Sequence, residues 1–210
     1  AEAALSEADD RIHELEGLWS VTDTQSEIYK INRSGGTPVT VVRVTEKAVS
    51  YSLKMAERTG GALEPTLYPV LTSWGFTTGS YRIPAQEELD GLLARSGYDR
   101  VLVENGQIRI PADMQLDLGA VAKGYTADIV ASIMRDYGIN SALIDLGGNI
   151  HLIGPKPDGS RWRVGIKDAY SDGNLGVLEA ADCAIVTSGG YERYFVGEYG
   201  NTYWHILDPT

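Results

Sequence analysis

The segment Asp117–Asp128, DLGAVAKGYTAD, is the stretch from which the fold of this chain can be worked out. It passes from a strand-like run, through glycine and small residues, into an apolar pattern with helical spacing. The pattern predicts the longest helix of the chain, Gly119–Tyr137, ended by Gly138. Asp117 either caps this helix or accepts hydrogen bonds from a ligand. Lys123 is expected in the same helix and roughly on the same side, either in solvent or facing that ligand.

Two further motifs follow this segment, the first with a glycine pair and the second with a histidine. They are LIDLGGN (Leu143–Asn149) and WHILDPT (Trp204–Thr210). An acid, a cation, glycine turns and a late histidine together fit a site for a phosphate-bearing ligand. The GxxxxGK[ST] and GxGxxG spacings are absent, which argues against a P-loop and a Rossmann site. His205 is either a packed imidazole or a general base, and Trp74 is either a packing residue or a flank for a flat ring.

The rest of the chain predicts an α+β fold with a largely antiparallel sheet, because helix patterns come first and the later strands lack crossover helices between them. The helix patterns are residues 1–18, SEIYKIN with Ser26 at its start, Thr45–Thr59, one short helix within Gly61–Phe76, and Gln86–Ser96. VTVVRV (Val39–Val44) is expected to be extended, and Asn105-Gly106 predicts a hairpin turn.

Composition restricts the function classes. The chain has 210 residues, of which 43% are hydrophobic, so it has enough apolar content for a core, and residues 1–210 are interpreted as a single region. No apolar run is long enough for a membrane span. The single cysteine, Cys183, excludes an internal disulfide. A net charge of −11 argues against a nucleic-acid partner.

Several motifs together resemble the ApbE family of flavin transferases, the FAD:protein FMN transferases, which also carry the older label of thiamine-biosynthesis lipoproteins. The motifs are SEIYKIN, GALEPT, SWGF, DLGAVAKGYTAD, LIDLGGN, VTSGGYERYF and WHILDPT. They occur in order and cover nearly the whole chain. The resemblance implies an ApbE-like fold.

The resemblance also implies an activity and its residues. Such an enzyme transfers FMN from FAD to a Thr or Ser hydroxyl of a target protein, with Mg²⁺, and releases AMP. The implied FAD contacts are Ala62, Leu63, Glu64, Asp117, Lys123 and Leu207. The implied metal ligand is the backbone carbonyl of Ala120. His205 matches the family's catalytic base, and Lys123 would offset charge on the pyrophosphate.

The chain departs from the family pattern in ways that bear on activity. Family members continue beyond HILDPT to a segment that supplies side-chain metal ligands, and they have a strand before the first helix. The sequence is therefore expected to be truncated at both ends and to be catalytically poor without the metal-ligand segment. Glu64 stands where aspartate is commoner, Leu63 where phenylalanine is, and Thr22 where some members place a tyrosine.

Two alternatives to transfer remain open at this point. One is a protein that binds or hydrolyses FAD without an acceptor, and the other is a non-catalytic interaction domain. The expected partner of a transferase is a flavin-acceptor protein. By resemblance alone, the expected location is extracytoplasmic, with a lipid anchor, outside this chain, at the cell membrane.

Overall fold

The computed structural model describes residues 1–209 and combines helices with antiparallel strands. The helices are α1 (Glu2–Trp19), α2 (Glu27–Asn32), α3 (Arg43–Arg58), α4 (Tyr68–Ser73), α5 (Gln86–Leu93) and α6 (Ala122–Asp136), with a 3₁₀ turn at Tyr98–Arg100. The strands are β1 (Val39–Thr40), β2 (Leu102–Glu104), β3 (Gln107–Arg109), β4 (Ala142–Asp145), β5 (Asn149–Ile153), β6 (Trp162–Lys167), β7 (Asn174–Ala180), β8 (Ala184–Val186), β9 (Tyr194–Val196) and β10 (Thr202–Trp204). The predicted α+β class is confirmed.

The chain divides into two compact units. Unit 1 consists of Ala1–Leu15 and Lys123–Gly189, and unit 2 consists of Glu16–Ala122 and the residues from Gly190 onward. The assignment of residues 1–210 to a single region stays a prediction. No helix within residues 1–209 is both long and apolar enough to cross a membrane.

Unit 1 is built around one apolar cluster. Its sheet has the order β4-β5-β8 with antiparallel neighbours, and β6 and β7 form a separate antiparallel pair. The buried cluster comprises Ala4, Ala8, Val130, Ala131, Met134 and Ile153. Because all of these residues except Ile153 of β5 recur at helical spacing on α1 and α6, burying one face of each helix stabilises unit 1.

Unit 2 contains the predicted hairpin. Its three-stranded sheet has the order β1-β3-β2, and β9 and β10 form a second antiparallel pair. Asn105 and Gly106 have φ of 52° and 74°, which is the left-handed backbone that a two-residue type I′ turn requires. Gly106 also accepts a hydrogen bond from Val41 N at 3.0 Å and donates one to Glu46 Oε1 at 3.1 Å. The turn thereby joins the hairpin to β1 and α3.

The prediction that Val39–Val44 is extended is wrong for its last two residues. Val39–Thr40 forms a strand and Val42 is still extended, with φ of −71° and ψ of 155°, but α3 begins at Arg43. The buried face of α3 starts at Thr45, whose Oγ1 accepts a hydrogen bond from Trp19 Nε1 at 3.2 Å. Tertiary burial of this face outweighs the β preference of the valines.

The predicted bounds of α6 are also wrong. The helix begins at Ala122, after a turn at residues 119–121, and ends at Asp136. It has 15 residues against 18 in α1, so it is not the longest helix. Gly138 follows it with φ of 74°, as expected for a residue that ends a helix.

The SEIYKIN helix supports the segment before Asp117. Ser26 caps α2, with its Oγ accepting from Tyr29 N at 2.9 Å, as predicted. Asn32, at the other end of α2, binds both backbone groups of Leu116. Its Nδ2 donates to Leu116 O at 2.8 Å and its Oδ1 accepts from Leu116 N at 2.7 Å. One amide therefore fixes the backbone next to Asp117.

We predict that Asn32→Ala lowers the free energy of unfolding by about 2 kcal/mol, because both backbone groups of the fully buried Leu116 lose their partners. Chemical denaturation measures this change. The exposed Asn201→Ala variant is the control and should unfold like the wild type. Equal stability of both variants would contradict the role given to Asn32.

Candidate functional site

Asp117 lies in an extended segment between two buried leucines. Leu116 and Leu118 are nearly inaccessible to solvent, whereas Asp117 is half-buried. Its backbone N–H donates to Pro65 O at 2.8 Å, and its Oδ1 accepts from Gly119 N at 2.6 Å. Because α6 starts only at Ala122, Asp117 is not the N-cap residue of that helix. Its second carboxylate oxygen receives no hydrogen bond from residues 1–209.

Burial raises the pKa of the Asp117 carboxyl above its ordinary value. The hydrogen bond from Gly119 N–H and the positive charge of Arg193 both lower this pKa and so oppose the effect of burial. The ionised carboxylate is therefore incompletely compensated by the protein. A ligand that donates a hydrogen bond to this carboxylate would stabilise its charged form.

The predicted contact residues Ala62, Leu63 and Glu64 form a loop next to Asp117, since Pro65 accepts the Asp117 hydrogen bond. Within unit 2 the structure thus brings this loop and Asp117 together. Ala62 is exposed, and Leu63 is half-buried.

Both carboxylate oxygens of Glu64 are already used inside the protein. Oε1 accepts from Thr66 N at 2.9 Å and from Thr66 Oγ1 at 2.6 Å, and Oε2 accepts from Tyr98 N at 3.0 Å. Thr66 Oγ1 in turn accepts from Gly97 N at 2.8 Å. The side chain of Glu64 therefore fixes the shape of the loop, and its FAD contact stays a prediction.

Arg193 is the residue of this site that the sequence did not reveal. Its Nη2 donates to Phe76 O at 2.6 Å, and its charge acts on Asp117. Its backbone carbonyl accepts from His205 N at 3.2 Å. Although Arg193 lies in the quoted motif VTSGGYERYF, a lone arginine between aromatic residues carries no spacing signal. Its charge therefore acts on Asp117, while its main chain contacts His205.

His205 follows β10 and is half-buried. Its Nδ1 lies 3.2 Å from the Arg193 carbonyl oxygen. Because a carbonyl oxygen can only accept, this contact is a hydrogen bond when Nδ1 carries the proton, and Nε2 is then the basic nitrogen. The main chain thus selects the tautomer that a general base acting through Nε2 requires.

An aromatic row lies beside this histidine in unit 2. Tyr81 stacks on Phe195 at 5.1 Å and 13°, and Phe195 stacks on Tyr203 at 5.2 Å and 21°. Trp74 is 5.2 Å from Tyr203, so it takes part in packing. Phe76 presents its edge to His205, with 6.5 Å between the ring centroids. The row restricts the orientations that the imidazole can adopt.

Lys123 belongs to unit 1 and lies in the first turn of α6. The prediction that Asp117 and Lys123 share one helix is wrong, because the chain between them forms a turn rather than helix. Lys123 Nζ donates to Gly147 O at 3.4 Å, in the LIDLGGN motif. Gly147 and Gly148 have φ of 63° and 82°, so the loop makes a left-handed turn next to the ammonium group.

A small pocket in unit 2 lies beside the α2 helix. Its volume is 230 Å³, and its lining residues are Val21, Thr22, Tyr29, Asn32, Arg33, Tyr68 and Gln115. The guanidinium of Arg33 lies over the Tyr29 ring at 5.6 Å. The pocket includes Thr22, the position where some family members place a tyrosine.

The last two predicted residues are Leu207, which is half-buried, and Ala120, which is exposed in the turn before α6. Ala120 offers a carbonyl oxygen. No group of three or more His, Cys, Asp or Glu side chains within residues 1–209 is arranged to hold a metal ion. Because Mg²⁺ requires octahedral oxygen coordination, these residues alone do not fit a magnesium site.

Comparison with known proteins identifies the class. The sequence model of the ApbE family matches residues 2–210. The chain belongs to the ApbE family.

Relatives and solved structures agree with this assignment. The chain is 34% identical to the FAD:protein FMN transferase of Treponema pallidum, covering 99% of this chain and 62% of the relative. It is 32% identical to the enzyme of the same name from Vibrio cholerae, covering 98% and 63%. The crystal structure of the ApbE protein of Thermotoga maritima matches with a TM-score of 0.93 at 33% identity, covering 99% and 69%. The chain thus spans less than two thirds of the length of these two sequence relatives.

We predict that Asp117→Asn changes how stability depends on pH. Since the folded-state pKa is raised, Asp117 destabilises the fold increasingly as pH rises from the unfolded pKa through the folded pKa. The variant, which keeps an oxygen to accept from Gly119 N, should therefore be more stable than the wild type at neutral pH and equal to it at strongly acidic pH. Denaturation curves across this range measure the difference. Asp172→Asn, at an exposed position, controls for the loss of one acidic charge. A constant difference at all pH values would contradict the prediction.

Proposed function

We propose that this protein transfers FMN from FAD to the hydroxyl of a Thr or Ser in a target protein and releases AMP. The observation that carries the proposal is the 3.2 Å contact of His205 Nδ1 with the Arg193 carbonyl oxygen, in a chain of the ApbE family. The names of the relatives support flavin transfer. The acceptor hydroxyl and the release of AMP are part of the proposal.

The proposed reaction is a substitution at phosphorus. The acceptor oxygen forms a bond to the FMN-side phosphorus, and the bond from that phosphorus to the bridging oxygen breaks. AMP leaves with this oxygen, and FMN remains on the target as a phosphoester. A hydroxyl is a weak nucleophile at neutral pH, so removing its proton lowers the barrier.

His205 is assigned the role of proton acceptor. With Nδ1–H bound to the Arg193 carbonyl, Nε2 is free to take the hydroxyl proton. The same hydrogen bond stabilises the imidazolium that forms, because a carbonyl oxygen attracts the positive charge. Arg193 is therefore a positioning residue, which acts through His205.

Asp117 and the Ala62–Glu64 loop are assigned to FAD binding. The unpaired oxygen of Asp117 would accept a hydrogen bond from the cofactor, and the loop next to it would offer backbone groups. Lys123 and Leu207 keep the FAD contacts that the family resemblance gives them. The charge of Lys123 suits a phosphate oxygen.

We include a dependence on Mg²⁺ in the proposal because of the family resemblance alone. If Mg²⁺ is bound, it would neutralise charge on the diphosphate, and Ala120 would contribute one carbonyl oxygen. The described residues lack the further ligands, so no step of the reaction is assigned to the ion. A flavin-acceptor protein as partner and a lipid-anchored extracytoplasmic location are likewise proposed from the family.

The transfer activity is tested by incubating the protein with FAD, Mg²⁺ and target proteins that carry an acceptor Thr or Ser. A fluorescent covalent adduct, together with one AMP for each FMN attached, is the expected result. AMP and free FMN without an adduct would identify an FAD hydrolase instead. Absence of FAD binding by calorimetry would contradict both activities and favour an interaction domain.

We predict that His205→Asn slows transfer by about 10²- to 10⁴-fold and leaves the Kd for FAD nearly unchanged. The asparagine amide can still donate to the Arg193 carbonyl, but asparagine has no basic nitrogen at the position of Nε2. Single-turnover rates and FAD titrations measure the two effects. His13→Asn, on the exposed surface of α1, is the matched control. A variant that transfers at the wild-type rate would exclude His205 as the base.

A further inference from the structure

The outer edge of β10 in unit 2 leads directly to His205 and is unpaired. His205 N donates to Arg193 O at 3.2 Å, in register with the β9–β10 ladder. Because hydrogen-bonded and non-hydrogen-bonded pairs alternate in an antiparallel ladder, the backbone groups of Thr202 and Trp204 face away from β9. No strand or loop within residues 1–209 pairs with these groups. β10 therefore presents a free row of backbone donors and acceptors.

The basic nitrogen of His205 faces away from β9. Its Nδ1 lies 3.2 Å from the carbonyl oxygen of Arg193, the residue that precedes β9. The hydrogen-bonding directions of the two nitrogens in an imidazole ring are nearly opposite, so Nε2 is directed away from this carbonyl. A hydroxyl that gives its proton to Nε2 must therefore approach from the side of β10.

The side chains of the β9–β10 hairpin differ between its two faces. Phe195 and Tyr203 stack on each other on the inner face, in the aromatic row beside His205. The outer face carries four apolar side chains that are 44% to 59% exposed, namely Tyr194, Val196, Trp204 and Ile206. An apolar strand with an open edge is a template for pairing with another polypeptide.

Two further features describe what could occupy this edge. A Cβ on Gly190 would lie 2.6 Å from the Trp204 ring, so main chain covers part of the ring while 48% of the residue stays accessible. A ring held in this way can pack against an incoming apolar side chain with little loss of entropy. Residues 194–207 contain one acid, the exposed Glu198, and no Lys or Arg, so a positively charged partner segment is favoured.

We propose that the flavin-acceptor protein binds as an extended segment that adds a strand to the outer edge of β10, with its Thr or Ser side chain opposite His205. Side chains directly opposite each other on neighbouring strands have Cβ atoms about 4.5–5.5 Å apart, which brings the hydroxyl within reach of Nε2. The residues on either side of this Thr or Ser lie on the outer face, beside Trp204 and Ile206. This inference rests on the proposed function and adds how the acceptor is bound.

The two edges of the hairpin provide a matched pair of variants. Thr202 and Val196 are direct partners in the ladder, and each directs its backbone N–H outward, on opposite edges. Proline at either position removes that N–H without removing a hydrogen bond between β9 and β10. Thr202→Pro should raise the KM for the acceptor about tenfold and leave the Kd for FAD unchanged. Val196→Pro should leave both constants unchanged.

A second measurement does not depend on how the variants fold. A short peptide that spans the labelled Thr or Ser of a target protein is methylated at one backbone nitrogen at a time and offered to the wild-type full chain with FAD and Mg²⁺. Only every second N–H of an added strand faces its neighbour, so transfer should fall about tenfold at alternate positions and change little at those between.

Three results would overturn the inference. If Thr202→Pro does not raise the acceptor KM more than Val196→Pro does, β10 is not the binding edge. A weaker Kd for FAD in Thr202→Pro would show that this edge contacts the dinucleotide instead. Equal effects of methylation at successive nitrogens would show that the acceptor does not bind as a strand. A wild type that labels no target contradicts the proposed function itself, which is a distinct outcome.

Discussion

The half-buried carboxylate of Asp117 is the constraint on which the arrangement of unit 2 depends. A carboxylate in partly apolar surroundings must be held by donors and by nearby positive charge, or it becomes protonated. Gly119 provides a donor, Arg193 provides charge, and Pro65 binds the Asp117 backbone. The loop at residues 62–65, the turn before α6 and the β9–β10 hairpin therefore converge on one residue.

The same constraint orders the histidine. The positive charge of Arg193 acts on Asp117, and the Arg193 carbonyl oxygen receives both nitrogen contacts from His205. One residue, Arg193, thus acts on Asp117 through its charge and positions His205 through its main chain. Such an arrangement suits a site in which one group binds a substrate and the other moves a proton.

Local signals in the sequence were sufficient for much of this fold. The cap at Ser26, the Asn105-Gly106 turn and the glycine after α6 are each set by the backbone of one or two residues, and each was predicted. The start of α3 was not, because the burial of Thr45 against Trp19 depends on residues 26 positions apart. The start of α6 was missed because Asp117 pairs with Gly119 instead of with the helix.

From the sequence, the residues of the site can be predicted only where a recognisable motif contains them. Asp117, Lys123 and His205 were selected from their motifs, whereas the function of Arg193 depends on its contact with Phe76, which is 117 positions away in the chain. Asn149 lies inside a quoted motif, yet the lack of a partner for its buried Oδ1 among residues 1–209 is visible only when the surrounding elements are in place. Long-range contacts and unmet hydrogen bonds leave no trace in a local pattern.

The hydrogen bonds of Glu64 limit which residues can replace it. Its side chain spans from Thr66 to the backbone of Tyr98, and an aspartate, shorter by one methylene, would not reach both from the same Cα position. The commoner family residue could therefore be accepted only if the segment around Tyr98 moved inward as well. An aspartate at this position alone would therefore leave either Thr66 or the Tyr98 N–H without its acceptor.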